Sequence, residues 1–161
     1  MSSAIMSRQR VLLNSLIKFY RQKSNFESLA EILNGKISLR VFDKFVTQYS
    51  VKHSVMIPGK SAVYDSYHQQ LDAWSKRMFD PFGRSHSSKT DVDKALLEQF
   101  DFAINGIGTV NDTTIGQLNF FRWIIQNNIH GIIESQYSDV RKFIDNYKPR
   151  RKRKATMKGK K

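Results

Sequence analysis

His68 and Asp72 stand four residues apart in a stretch with helical periodicity, which brings both to one helix face and would let a carboxylate orient an imidazole as a general base. Asp65 precedes them by about one turn. Such a pair is more often a surface hydrogen bond, and no nucleophile joins it: the chain has no cysteine and no Gly-x-Ser-x-Gly turn. His53, His86 and His130 are scattered, with no two at metal-ligand spacing. Gly106-Ile107-Gly108-Thr109 resembles a phosphate-cradling loop but lacks both the third glycine of a dinucleotide fingerprint and the Gly-Lys-Ser/Thr of a P-loop, so a tight turn explains it better. No set of acid, base and nucleophile can be assembled. The chain reads as non-enzymatic, with no cofactor and no metal.

Charge is the stronger signal. Residues 148–161 hold nine of the 27 Lys/Arg residues and no Asp or Glu: Lys148, Arg150, Arg151, Lys152, Arg153, Lys154, Lys158, Lys160 and Lys161. A run of this kind repels itself and has no apolar surface to bury, so it is expected to be a disordered arm that orders against phosphates or acidic protein. Residues 1–60 add ten Lys/Arg against three Asp/Glu, whereas residues 61–147 hold eight against eleven. The formal net charge of +13 is therefore concentrated at the two ends. That is the electrostatic footprint of a nucleic-acid binder, shared by membrane-surface proteins and ligands of acidic proteins.

Composition narrows the class. With 161 residues, 40% hydrophobic and 12% aromatic, the chain can bury one core, giving a single helical domain over residues 1–147 and a basic tail over 148–161. The absence of cysteine excludes disulfide frameworks and thiolate metal sites. No apolar run approaches the ~20 residues that span a bilayer, so a soluble intracellular protein without a membrane partner is expected.

Periodicity supplies the elements. Ile5, Leu12, Leu13, Leu16, Ile17 and Tyr20 form one stripe of a basic amphipathic helix over residues 3–21. Ser24-Asn25-Phe26-Glu27 has capping-box spacing for a second helix, Gly35 offers a left-handed stop, and Ser38 a cap for a third helix through Tyr49. A loop around Pro58-Gly59 precedes a helical pattern over residues 61–78, which halts at Pro81. Residues 83–91 read as a surface loop and 92–100 as a short helix. Residues 102–110 leave room for one small β-hairpin. Asp112 or Thr113 would cap a core helix reaching Asn127, and Ser138-Asp139 opens a last one. The fold class is mainly α: a compact bundle of about five to six short helices.

On that body Arg8, Arg10, Lys18, Arg21, Lys23, Lys36, Arg40 and Lys44 would form a second basic patch, since only Glu27, Glu31 and Asp43 balance them. The three leading helices also admit a helix-turn-helix reading, with Arg40 and Lys44 near the front of a groove-reading helix.

Three segments carry a family resemblance: Ile37-Ser38-Leu39-Arg40-Val41-Phe42-Asp43-Lys44-Phe45-Val46-Thr47-Gln48-Tyr49-Ser50, then Phe79-Asp80-Pro81-Phe82, then Thr113-Thr114-Ile115-Gly116-Gln117-Leu118-Asn119-Phe120-Phe121-Arg122-Trp123. Together they resemble small basic proteins of nucleocytoplasmic large DNA viruses that infect algae and protists. The resemblance implies a viral setting and supplies no site residues. The expectation is a viral protein binding nucleic acid, DNA ahead of RNA, by sequence-nonspecific phosphate contacts through the arm and through Arg8, Arg10, Lys18, Arg21, Arg40 and Lys44. It would reside in the virion interior, the viral factory or the host nucleus. Other virion proteins or a nuclear import receptor that captures the cluster at 149–154 are further partners. The alternative is a minor structural protein of the virion whose aromatic-rich body docks on capsid or scaffold.

Overall fold

The computed structural model describes residues 3–82 and 91–147. They form a mainly helical body in the order α1 (Ser3–Tyr20), α2 (Lys23–Asn34), α3 (Leu39–Lys44), a π-helical turn (Phe45–Tyr49), α4 (Ser50–Lys52), α5 (Val63–Ala73), a 3₁₀ turn (Lys76–Met78), α6 (Asp91–Ala103), α7 (Ile115–Gln126), α8 (Ile129–Ser135) and α9 (Tyr137–Asn146). The helices are thus more numerous than the five or six expected. The expected disordered arm and residues 83–90 of the loop expected at 83–91 lie outside the described residues, and Asp91 already belongs to α6.

α7 organises the core. Its stripe widens to nearly the whole cylinder, with Ile115, Leu118, Phe120, Phe121, Trp123 and Ile124 all buried, and it packs against α1, α2, α6, α8 and the 3₁₀ turn. A helix apolar on all sides is stable only when surrounded. Its N-terminal cap is Thr114, whose Oγ1 accepts from Gln117 N at 3.0 Å, one or two residues later than the Asp112 or Thr113 expected.

Two buried amides on α7 fasten the irregular segment after α5. Gln117 Nε2 donates to Pro81 O at 2.9 Å while its Oε1 accepts from Thr113 Oγ1 at 2.7 Å. Asn119 Nδ2 donates to Met78 O at 2.8 Å and its Oδ1 accepts from Arg122 Nη2, whose Nη1 donates to Ser15 Oγ. Gly116 closes the join: Asp80 N donates to its carbonyl, and a Cβ there would stand 2.4 Å from Arg77 O. Phe79 fills the space above, 5.2 Å from Phe120 and 5.6 Å from Trp123. Phe42 meets Phe121 edge to face at 5.1 Å. The three segments that carry the viral resemblance therefore pack on one another within the core.

Caps and stops follow the residue types unevenly. Ser38 caps α3, its Oγ accepting from Val41 N at 3.3 Å. The capping box at Ser24 does not form: α2 begins at Lys23 with Gln22 as a cap that gives no side-chain bond, and Ser24 lies inside the first turn. Gly35 is extended (φ −85°, ψ −177°), not left-handed; a Cβ there would press on Glu31 O at 2.8 Å. The third helix runs past Tyr49 by way of the π turn, where Ser50 N reaches Phe45 O. Thr47 Oγ1 and Ser50 Oγ donate to Asp43 O and Val46 O four residues back, and such hydroxyl bonding perturbs the ordinary ladder.

The hairpin expected at 102–110 is absent. α6 continues to Ala103, Gly106 takes the left-handed conformation (φ +94°), and Gly108 lies so close to Phe26 that a Cβ would stand 2.1 Å from its ring. The two glycines serve a helix end and a close approach, as a tight turn requires. Among the described residues the one ladder contact is an isolated bridge between Met56 and Ala62, around a turn in which Pro58 is followed by Gly59 at φ +73°. No described helix is long and apolar enough to cross a membrane.

Candidate nucleic-acid interface

The α1 cations divide into two groups. Arg10, Lys18 and Arg21 are exposed together with Ser7, Val11 and Asn14, and at 100° per residue these positions fall within about one third of the helix circumference. Arg8 lies on another side, donating from Nη2 to Ala73 O at 2.6 Å and resting 5.9 Å over the Trp74 ring. Arg21 at the end of the outer stripe donates from Nη1 to Ala103 O at 2.9 Å. Arg8 and Arg21 thus satisfy carbonyls at the C-terminal ends of α5 and α6, where positive charge also complements the helix dipole.

Arg40 is exposed and Lys44 half-buried, one turn apart on α3. α3 packs on the π turn and α9, while α1 packs on α2, α6 and α7, so the structure gives the expected patch two separate seats. α2 packs on α1 and α7, a different arrangement from the paired helices of a helix-turn-helix. Ion pairs among the described residues join His68 to Asp72, Arg77 to Asp93 and Arg141 to Asp145; none engages a cation of the first sixty residues. Lys148, Arg150, Arg151, Lys152, Arg153, Lys154, Lys158, Lys160 and Lys161 lie outside the described residues.

The chain reaches that basic run directly from a groove that sequence reasoning missed. About 610 Å³ in volume, it lies between the π turn with α4 on one side and α9 on the other, and is lined by Tyr49, Lys52, His53, Asp139, Lys142, Phe143, Asn146 and Tyr147. Tyr49 forms its floor: buried, 4.3 Å from the His53 ring and 5.5 Å from Phe143. Burial and the nearby Asp139 carboxylate push the Tyr49 phenol above its ordinary pKa. Tyr147 is 42% exposed, 5.7 Å from Phe143. The sequence signal was present as basic and aromatic neighbours, Lys52-His53 and Lys142-Phe143, but Tyr49, Phe143 and Tyr147 also satisfied a core stripe.

A second cavity of about 330 Å³ is lined by Glu31, Lys36, His130 and Glu134 with Ile32, Ile37 and Phe42 among its apolar wall. His130 Nδ1 is buried there without a hydrogen-bond partner. Two carboxylates against one lysine disfavour a phosphate in that space. His68 Nδ1 and Asp72 Oδ2 are 3.7 Å apart with 58% and 75% of their side chains exposed, and they line neither cavity. Among the described residues no three His, Asp or Glu side chains are placed to hold a metal.

The sequence pattern of a family of unknown function matches residues 5–161. The chain belongs to that family, DUF7197. An uncharacterized protein of Acanthamoeba polyphaga mimivirus is 35% identical over 119 residues, which is 66% of this chain and 42% of the relative. The chain thus spans less than half the length of that curated relative. The resemblance to giant-virus proteins is met at this level, that of a viral family of unknown function. No solved structure matches.

Proposed function

We propose that the chain is a non-enzymatic, nucleic-acid-binding viral protein that grips the phosphate backbone without strong sequence preference. The observation that carries this reading is the run after Tyr147, nine Lys/Arg in fourteen residues without a carboxylate. The folded body supports it, because its N-terminal cations form no ion pair among the described residues, and those not bonded to helix ends as Arg8 and Arg21 are stay available to an external anion. Arg10 and Lys18 on α1 and Arg40 and Lys44 on α3 supply contacts beside the arm, with DNA favoured over RNA. Arg8 and Arg21 contribute only what their helix-end bonds leave free. Phosphate contacts of this kind fix position and supply affinity while carrying no sequence information. The setting is the virion interior, the viral factory or the host nucleus.

The second reading, in which the aromatic-rich body docks on capsid or scaffold, calls for a large exposed apolar patch, and Phe102, 82% exposed near the end of α6, is a single side chain. Purification of the full chain with and without nuclease, followed by mass spectrometry and nucleic-acid staining, separates the two. Nuclease-sensitive DNA or RNA supports the first reading. Capsid or scaffold protein retained after nuclease, with no nucleic acid before it, overturns it.

A further inference from the structure

We infer that the groove between α4 and α9 takes an unpaired nucleobase of a single-stranded nucleic acid, with the flanking phosphates on Lys52 and Lys142. The inference rests on the phosphate-binding reading above and adds a preference for strand state to it.

The shape fits first. A volume of about 610 Å³ lies within the ~300–1,000 Å³ of small-ligand sites, and an aromatic floor with partly open aromatic edges is the form of a stacking platform. His53 and Tyr147 stand at the lips, both exposed, while Tyr49 and Phe143 hold the base of the groove at 5.5 Å edge to face. His53 lies over Tyr49 at 4.3 Å with 37° between the rings, leaving its outer side to a flat partner. A base in a duplex has both faces covered, so only an unstacked base can enter.

Charge then selects the occupant. Lys52 and Lys142 meet one carboxylate, Asp139, inside the groove, and on α9 Arg141 is paired with Asp145 at 3.5 Å. The basic run that follows Tyr147 shares the sign of those lysines, which disfavours this chain's own arm as the occupant and favours a polyanion able to touch both. Asp139 is not an obstacle to a base, whose amino groups donate to a carboxylate. The π turn Phe45–Tyr49 is the local device that sets Tyr49 into this floor, and wide turns of this kind recur at functional sites.

The test uses the full chain and fluorescence anisotropy with three labelled probes of equal phosphate number: a single-stranded oligodeoxynucleotide, an abasic strand of the same length, and a duplex. Wild type should bind the base-bearing strand about fivefold to tenfold more tightly than the abasic one, the scale of one stacked base. His53→Ala and Tyr147→Ala, both at exposed positions, should each remove most of that ratio while leaving abasic binding and the thermal midpoint unchanged. Equal affinity for base-bearing and abasic strands overturns the inference yet leaves phosphate binding standing. Loss of binding to all three probes overturns the phosphate-binding reading itself. Duplex bound as tightly as single strand also contradicts the inference, as does displacement of the strand by micromolar mononucleotide, which would mark a free-nucleotide site.

Discussion

Asn119 on α7 donates to the carbonyl of Met78 at 2.8 Å, a side-chain bond between residues 41 positions apart that ties the central helix to an irregular segment. With Gln117 reaching Pro81 O, it gives buried carbonyls a partner where no ladder exists to do so. Phe79 and Pro81 are thereby held buried, with Asp80 and Phe82 half-buried beside them.

Asn119→Leu should cost about 1–3 kcal/mol, because Met78 O is left without a partner and the Arg122 guanidinium keeps only its bond to Ser15 where water is scarce. Thermal unfolding followed by circular dichroism should show a midpoint lowered by several degrees, at roughly 2–4 °C per kcal/mol for a chain of this size.

Gly116→Ala should be more damaging than Gly108→Ala. At Gly116 the added methyl meets backbone, Arg77 O, whereas at Gly108 it meets the edge of the Phe26 ring, which can rotate or shift. Denaturant midpoints of the two variants compare the costs directly, and an equal loss would contradict the packing described.

Thr114→Ala and Ser38→Ala should each destabilise by about 0.5–2 kcal/mol through loss of an N-terminal cap, while Ser24→Ala should be nearly neutral. The contrast follows from geometry: Thr114 and Ser38 accept backbone N–H bonds, and Ser24 lies inside α2 without capping it. Chemical unfolding of the three single variants checks it.

Arg8→Ala should cost stability, by roughly 0.5–1 kcal/mol after allowance for its exposure, and change nucleic-acid affinity little. Arg10→Ala and Lys18→Ala should do the reverse, leaving the unfolding midpoint in place and reducing the salt slope of binding by about one unit for each phosphate no longer engaged. Paired unfolding and anisotropy measurements on each variant separate the two roles.

The helices were legible because Leu12, Leu13, Leu16 and Tyr20 on α1, or Leu118, Phe121 and Ile125 on α7, repeat at the period of a helix that must bury one face. Ends were less so. Ser24 and Gly35 have the right residue types for a cap and a stop, yet α2 begins one residue before Ser24 because the turn from α1 is only two residues long. The strand-like residues of 102–110 gave way to tertiary demands, with Ile104 buried at the end of α6 and Gly108 pressed on Phe26. The groove was invisible for a related reason: Tyr49 and Phe143 obey the core period, and only the arrangement of α4 against α9 leaves Lys52, His53 and Tyr147 open beside them.

The most direct test of the central claim is the salt dependence of DNA binding by the full chain and by a form ending at Tyr147. Log K should fall linearly with log salt for the full chain, and removal of residues 148–161 should reduce the slope by several units, at ~0.9 per duplex phosphate contact. Binding that is absent at low ionic strength, indifferent to salt, or equally steep without the arm would contradict it.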